Sequence, residues 1–233
     1  MPITYLKTEK KFTNAIHLAD IHVRLTKRHD EYKKIFFELS NGIAKSPNET
    51  AVFIVGDVVN SKLDLSPECV DLTADFLKDC ANLRPTVLIT GNHDTNLTNR
   101  SRMDSLSPIV DAINHPNLFY LKESGLYGLG NICINNYSVF DTTDKYLKGK
   151  DIPEIYRNQF EYFIATYHGV VDGVSNDLGF KLSNPTVRVD MFDNHDIVMM
   201  GDVHKCQDLY IEKCVNEEEL SKYIDSGEWE IMN

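Results

Sequence analysis

Five times along this chain a short run of apolar, largely branched residues breaks off at a polar residue able to hold a metal. Ala15-Ile16-His17-Leu18-Ala19 ends in Asp20-Ile21-His22, and Ala51-Val52-Phe53-Ile54-Val55 ends in Gly56-Asp57. Thr86-Val87-Leu88-Ile89-Thr90 ends in Gly91-Asn92-His93-Asp94. Phe163-Ile164-Ala165-Thr166-Tyr167 ends in His168-Gly169, and Ile197-Val198-Met199-Met200 ends in Gly201-Asp202-Val203-His204. Runs this short and this rich in branched residues read as strands buried on both faces. Such strands need helices or a second sheet to cover them, so the pattern restricts the chain to an α/β fold.

Helical patterns separate the first three runs. From His29 to Lys45, Tyr32, Ile35, Phe36, Leu39 and Ile43 recur as one apolar stripe. Ser66-Pro67 reads as an N-cap followed by proline at the first helical position, with Val70, Phe76, Leu77, Cys80 and Leu83 as the buried face. Ser107-Pro108 opens a shorter helix that stops before Pro116. Strand and helix alternating in this way imply crossover units and parallel pairing. Between Asn117 and Phe140 the pattern changes to short strands at Leu118–Leu121, Ile132–Asn135 and Tyr137–Phe140, with a glycine-rich turn at Gly125–Gly130 and mixed pairing. Gly173–Asn184 reads as a surface loop, and the tail from Glu217 to Asn233 is acidic.

In open α/β sheets, ligands bind beyond the carboxyl ends of the strands. All five polar clusters sit at such ends and therefore converge on one rim. Carboxylate, imidazole and amide oxygen together suit Mn, Fe, Zn or Mg better than a thiolate metal. Asp20 and His22, two apart in an extended segment, point to the same side, and Asp202 and His204 repeat that geometry. The donors are too many for one ion and about right for two sharing a bridging carboxylate, the clamp used in phosphoryl hydrolysis. Glycines 56, 91 and 201 fit sharp strand exits, where positive φ or close backbone approach is needed. His17, His29, His115 and His195 read as core or surface residues.

Composition narrows the function further. With 42% hydrophobic and 25% charged residues, the 233-residue chain has ordinary globular usage. The N-terminus lacks a signal-peptide core, and no apolar run approaches about 18 residues. An intracellular place, cytoplasmic or nuclear and not secreted, is expected. Five cysteines, odd in number and without C-x-x-C spacing, read as thiols in a reducing compartment. A net charge of -11 excludes a protein that simply coats nucleic acid.

The order D-x-H, G-D, G-N-H-D, strand-terminal His and G-D-x-H resembles the calcineurin-like metallophosphoesterase superfamily over about residues 13–210. The resemblance implies a four-layer α/β sandwich of mixed sheets flanked by helices, with a dimetal site at the strand carboxyl ends. It implies that Asp20, His22, Asp57 and His204 hold one divalent ion, and that Asp57, Asn92, His168 and Asp202 hold the second. Manganese is expected foremost, with Mg, Fe or Zn as alternatives. By the same resemblance His93 is the catalytic acid and Asp94 orients it. Position 202 departs from the family, which usually has His there.

Within the superfamily the segments His17–His22 with Arg24 and Arg28, Gly56–Asn60 before Ser66-Pro67-Glu68, and Gly201–Lys205 are similar to the SbcD-type DNA repair nuclease subunit. That likeness implies a single catalytic domain over residues 1–233, excised ahead of a capping domain or a minimal enzyme. It implies DNA as substrate and an SMC-like ATPase as partner, with a homodimer left open and no membrane. Arg24, Arg28 and Asn60 are the expected substrate-binding residues. Lys27, Lys33, Lys34, Arg100 and Arg102 add positive charge near the first and third motifs. A phosphomonoesterase or a protein or small-molecule phosphatase on the same scaffold is the alternative.

Overall fold

The computed structural model describes residues 2–8, 10–99, 101–172 and 187–203. Its strands are β1 (Ile3–Tyr5), β2 (Asn14–Leu18), β3 (Thr50–Val55), β4 (Thr86–Ile89), β5 (Leu118–Leu121), β6 (Gly125–Leu129), β7 (Ile132–Tyr137), β8 (Tyr162–His168) and β9 (Ile197–Gly201). Its helices are α1 (His29–Lys45), α2 (Pro67–Leu83), α3 (Ser107–Ile113) and α4 (Glu154–Arg157).

Two sheets result. The first has the order β2-β3-β4-β5 and is wholly parallel. The second has the order β1-β6-β7-β8-β9, with β6 and β7 antiparallel and the other pairs parallel. Side chains alternate across each strand, and the burial follows that alternation. Val52, Ile54 and Leu88 pack under α1–α3 with Phe36, Ile43, Phe76 and Leu77. Ala51, Phe53, Val55, Val87 and Ile89 face the other way and meet Ile132, Ile134, Ile164 and Met199 of the second sheet. The outer face of the second sheet is covered by short segments bearing Phe192, through Tyr137, Ala165 and Tyr167, and Ile152, through Cys133 and Phe163. Helices, sheet, sheet and short helical segments make the four layers.

Ser66 caps α2 as expected, its Oγ accepting from Cys69 N at 3.1 Å. For α3 the capping side chain lies three residues before the Ser-Pro pair: Asp104 accepts from the backbone N–H of Ser107 at 2.7 Å and of Leu106 at 3.1 Å. Three other expectations need correction. Of the Gly125–Gly130 stretch, Gly125–Leu129 is strand β6 and only Gly130 lies in a turn. Gly128 stands where an added Cβ would lie 3.0 Å from the rings of Tyr5 and Phe160, so its bare backbone admits close packing. Ile132–Tyr137 is one strand, not two. β2 is not buried on both faces, because it is the edge of its sheet and Ala15 and His17 are exposed. Strand β1 had no signal of its own. The Gly173–Asn184 loop, the acidic tail, His204, Arg100 and Cys206 lie outside the described residues. Cys69, Cys80 and Cys133 are buried free thiols. Among the described residues no helix is long and apolar enough to cross a membrane.

Candidate metal centre

The alternation that builds the core also aims the site. In β8 the even-numbered residues face the first sheet, so His168 follows Ile164 inward. In β3 the odd-numbered residues face the second sheet, and Asp57 continues on that side. The two meet: His168 Nε2 lies 3.2 Å from Asp57 Oδ2 and 4.0 Å from Asp20 Oδ1. His22 approaches from the open side, its Nε2 3.7 Å from Asp57 Oδ2. Its ring stands edge-on to His93 with centroids 4.8 Å apart.

Asp20 and His22 reach this point differently from the expected extended geometry. Their φ angles are 55° and 51°, both left-handed. Asp57 (52°) and Asp202 (88°) share that conformation. Non-glycine residues held there cost energy, and they concentrate at functional sites. The kinks are fixed from β3 and its extension, where Asp20 N donates to the Gly56 carbonyl and His22 N to the Asp57 carbonyl at 2.9 Å. Tyr32, on the apolar stripe of α1, donates its hydroxyl to the His22 carbonyl at 2.7 Å. That role was invisible in the stripe, where Tyr32 reads as core.

Gly56 has φ 80°, whereas Gly91 and Gly201 are required for space alone. A Cβ on Gly91 would lie 2.2 Å from Asp57 Oδ1, and one on Gly201 2.4 Å from the Val55 carbonyl oxygen. The room goes to Asp57, only 1% exposed, whose Oδ1 accepts from His93 N at 2.7 Å while Oδ2 faces the imidazoles.

The hydrogen bonds fix which imidazole nitrogen is available. The Val55 carbonyl can only accept, so His168 Nδ1, 2.8 Å away, carries the proton. Nε2 is then the nitrogen facing the carboxylates; it is buried and satisfies no hydrogen-bond geometry. A histidine tied to a backbone carbonyl by one nitrogen and free to coordinate through the other is the usual metal-ligand arrangement. Burial disfavours the imidazolium, but the Asp57 carboxylate overrides it and pushes His168 up to about 9. Reciprocally, burial raises the pKa of Asp57 and His168 more than offsets it, so the carboxyl ends below its ordinary range. The carboxylates favour a positive charge beside them, and the donor set fits a divalent cation.

Two triads have ligand atoms within 4.8 Å of one another: Asp20, Asp57 and His168, and His22, Asp57 and His93. Asp57 belongs to both. The grouping differs from the expected one in pairing Asp20 with His168 and in bringing His93 to the second triad. Asp202 is in neither. Its Oδ1 accepts from Asn92 Nδ2 at 2.8 Å, which turns the amide so that Asn92 Oδ1 is the atom left for a cation. Its backbone N–H donates to both oxygens of Asp20 at 2.9 and 3.1 Å.

His93 is exposed and donates Nδ1–H to the Asn60 carbonyl at 3.0 Å. Asn60 therefore acts here through its backbone. Asp94 is not the residue that orients the His93 ring. Its carboxylate is fully buried and accepts from Val59 N at 3.0 Å and Gly91 N at 2.8 Å, which closes the loop around His93. Burial raises its pKa to about 7; those two bonds and the His168 charge only trim the rise, and the Asp57 charge adds to it. Arg24 and Arg28 are exposed, and Arg28 is committed to Glu31, with Nε–Oε2 at 2.7 Å.

Residues 13–206 match the family model of the calcineurin-like phosphoesterases. An uncharacterized protein of Acanthamoeba polyphaga mimivirus is 40% identical over 219 residues, covering 88% of this chain and 16% of that protein. The chain thus spans about a sixth of that relative's length. The crystal structure of the Pseudomonas putida nuclease MPE aligns with a TM-score of 0.38 and 16% identity, over 72% of this chain and 66% of that one.

Proposed function

The chain belongs to the calcineurin-like phosphoesterase family, a family of metal-dependent hydrolases, and from that premise we propose that it cuts the phosphodiester bonds of DNA in the manner of the SbcD-type nuclease subunits, with manganese as its preferred metal. The observation that carries the hydrolytic reading is Asp57, nearly inaccessible to solvent and shared by both ligand triads. Two divalent ions bound there supply Lewis acidity to the phosphoryl oxygens and lower the pKa of a water. By the family pattern, and not by the grouping of the triads, Asp20, His22, Asp57 and His204 would hold one ion. Asp57, Asn92 and His168 would hold the other, with Asp202 setting the amide of Asn92.

The remaining work falls to His93. Asp57 Oδ1 fixes its backbone and the Asn60 carbonyl fixes its Nδ1. Nε2 is left as the proton donor to the departing alkoxide, which leaves poorly without that proton. An exposed imidazole at this position can reach a phosphate within a long chain as readily as a terminal one. Arg24 and Lys27, exposed on the loop after His22, supply positive charge for flanking phosphates despite the net charge of -11.

The test is hydrolysis of labelled single- and double-stranded oligonucleotides in manganese, beside p-nitrophenyl phosphate and a phosphopeptide. A ladder of DNA products that a chelator abolishes supports the proposal. Phosphopeptide turnover without DNA cutting would assign the site to a phosphatase.

A further inference from the structure

The three loops that leave β2, β3 and β4 around the metal centre each carry a basic residue followed by an apolar one: Arg24-Leu25, Lys62-Leu63 and Arg102-Met103. The apolar members are open to solvent, Leu25 by 40%, Leu63 by 56% and Met103 by 70%. The other large apolar residues this exposed among the described residues are Tyr5, Ile35, Phe37, Ile155 and Tyr162. All five sit within strands or helices, not on loops at the carboxyl edge. The basic members are exposed too, and among the described residues none of the three forms an ion pair, unlike Arg28 with Glu31.

The three loops lie side by side, because the middle loop is tied to both neighbours. Ser66 Oγ donates to the Leu25 carbonyl at 2.5 Å, and Ser105 Oγ to the Lys62 carbonyl at 3.4 Å. The same loops are tied to the catalytic imidazole: Asn60, two residues before Lys62, holds His93 Nδ1, and Ser105 N donates to the Asp94 carbonyl at 2.8 Å. The loops that carry the pairs are thus tied to the segment that carries His93.

A cation next to an apolar side chain, repeated, matches a ligand in which anion and flat apolar group also repeat. A nucleic acid strand is such a ligand: each nucleotide offers a phosphate for the cation and a base face for the apolar residue. A continuous duplex hides its base faces, and leucine or methionine reaches them only by opening a base step. A lipid surface shares the anionic chemistry, but membrane-binding segments present a contiguous apolar face, and here the apolar residues stand singly. We propose, resting on the DNA reading above, that these pairs form a base-contacting rim. The preferred substrate is then DNA whose bases beside the cut phosphate are unstacked, a single strand or a frayed end.

The experiment compares a single-stranded oligonucleotide with one of equal length built from tetrahydrofuran abasic units, which keeps the phosphates and removes the bases. The unaltered chain should cut the base-bearing strand with about tenfold higher kcat/KM. Leu25→Ser, Leu63→Ser and Met103→Ser together should bring the two rates together, while abasic cutting continues as the sign of an intact centre. Equal cutting of both strands by the unaltered protein overturns the rim. So does a base preference that survives the triple change, or tighter binding to phosphatidylserine vesicles than to the oligonucleotide. If neither strand is cut while p-nitrophenyl phosphate is still hydrolysed, the nuclease reading fails, and the rim with it.

Discussion

The sheet β2-β3-β4-β5 and the sheet β1-β6-β7-β8-β9 both deliver donors to the metal centre, but by different constructions. The first places Asp20, His22, Asp57, Asn92 and His93 on segments beyond its strand ends, three of them on left-handed backbone. These kinked segments are held by hydrogen bonds to one another and to the buried Asp94. The second sheet places His168 on the last residue of a strand, in register with Gly201 on β9, and follows with Asp202, itself left-handed, one residue past a strand end. A loop-built half can adjust to a substrate and is strained. A strand-built half is held by ladder pairing, here of His168 with Gly201. Asp57 lies at the seam, its carboxylate answering to both.

The seam should be the most sensitive place. Asp57→Ala removes the only residue common to both triads and should cut phosphoesterase turnover by roughly 10⁴-fold or more, measured as kcat/KM on p-nitrophenyl phosphate esters. A smaller loss than that of Asp20→Ala or His168→Ala would break the picture of a shared carboxylate. Next comes the loop-built half. His93→Asn should lower DNA turnover by about 10²–10⁴-fold while leaving metal binding in place. The defect should shrink with a nitrophenyl leaving group, which departs without a proton. An equal loss on both substrates would make His93 a ligand or a brace instead.

Two glycines compare the halves directly. Gly91→Ala would drive a methyl group into Asp57, and Gly201→Ala would drive one into the Val55 carbonyl and, at 2.6 Å, into His168 Nδ1. The loop should yield, so Gly91→Ala should cost activity of about 10–100-fold with little change in melting. The sheet should not yield, so Gly201→Ala should cost about 1–3 kcal/mol of stability. Equal thermal effects would erase the distinction.

The smallest effect is the pH dependence of the metal-free protein. Asp94, in the loop-built half, has its pKa raised from 3.8 to about 7. His168, in the strand-built half, is raised from 6.5 to about 9. Both are raised, so both favour the folded state when protonated, and stability is lost as pH climbs. The Asp94 contribution fades between 3.8 and about 7, and that of His168 between 6.5 and about 9. Melting curves in chelator should fall through both windows. His168→Asn should flatten only the upper one, and Asp94→Asn only the lower.

The first sheet was far more legible in the sequence than the second. Its strands are short apolar runs closed by motifs, and its helices carry stripes and a Ser-Pro cap, so local residues specify local structure. In the second sheet β6 has Gly128 where the rings of Tyr5 and Phe160 pack against it, a long-range reason with no local signature. Strand β1 is three residues long and forms only by pairing with β6. At the site, residue types announced the donors, while the partners that orient them did not. The Val55 and Asn60 carbonyls are backbone atoms, carried by every residue. Asp94 reads as a polar neighbour of His93, yet its burial under the loop turns it into a brace. The strained φ angles of Asp20 and His22 likewise follow from pairing with Gly56 and Asp57, not from the D-x-H string.

In the proposed mechanism one carboxylate, Asp57, would hold two cations between two sheets. Calorimetric titration of the chelator-treated protein with Mn²⁺, run beside Asp57→Asn, tests that most directly. The account predicts two ions per chain in the unaltered protein and weakened binding of both in the variant. A single ion per chain, or a variant that still binds two with unchanged affinity, would contradict it.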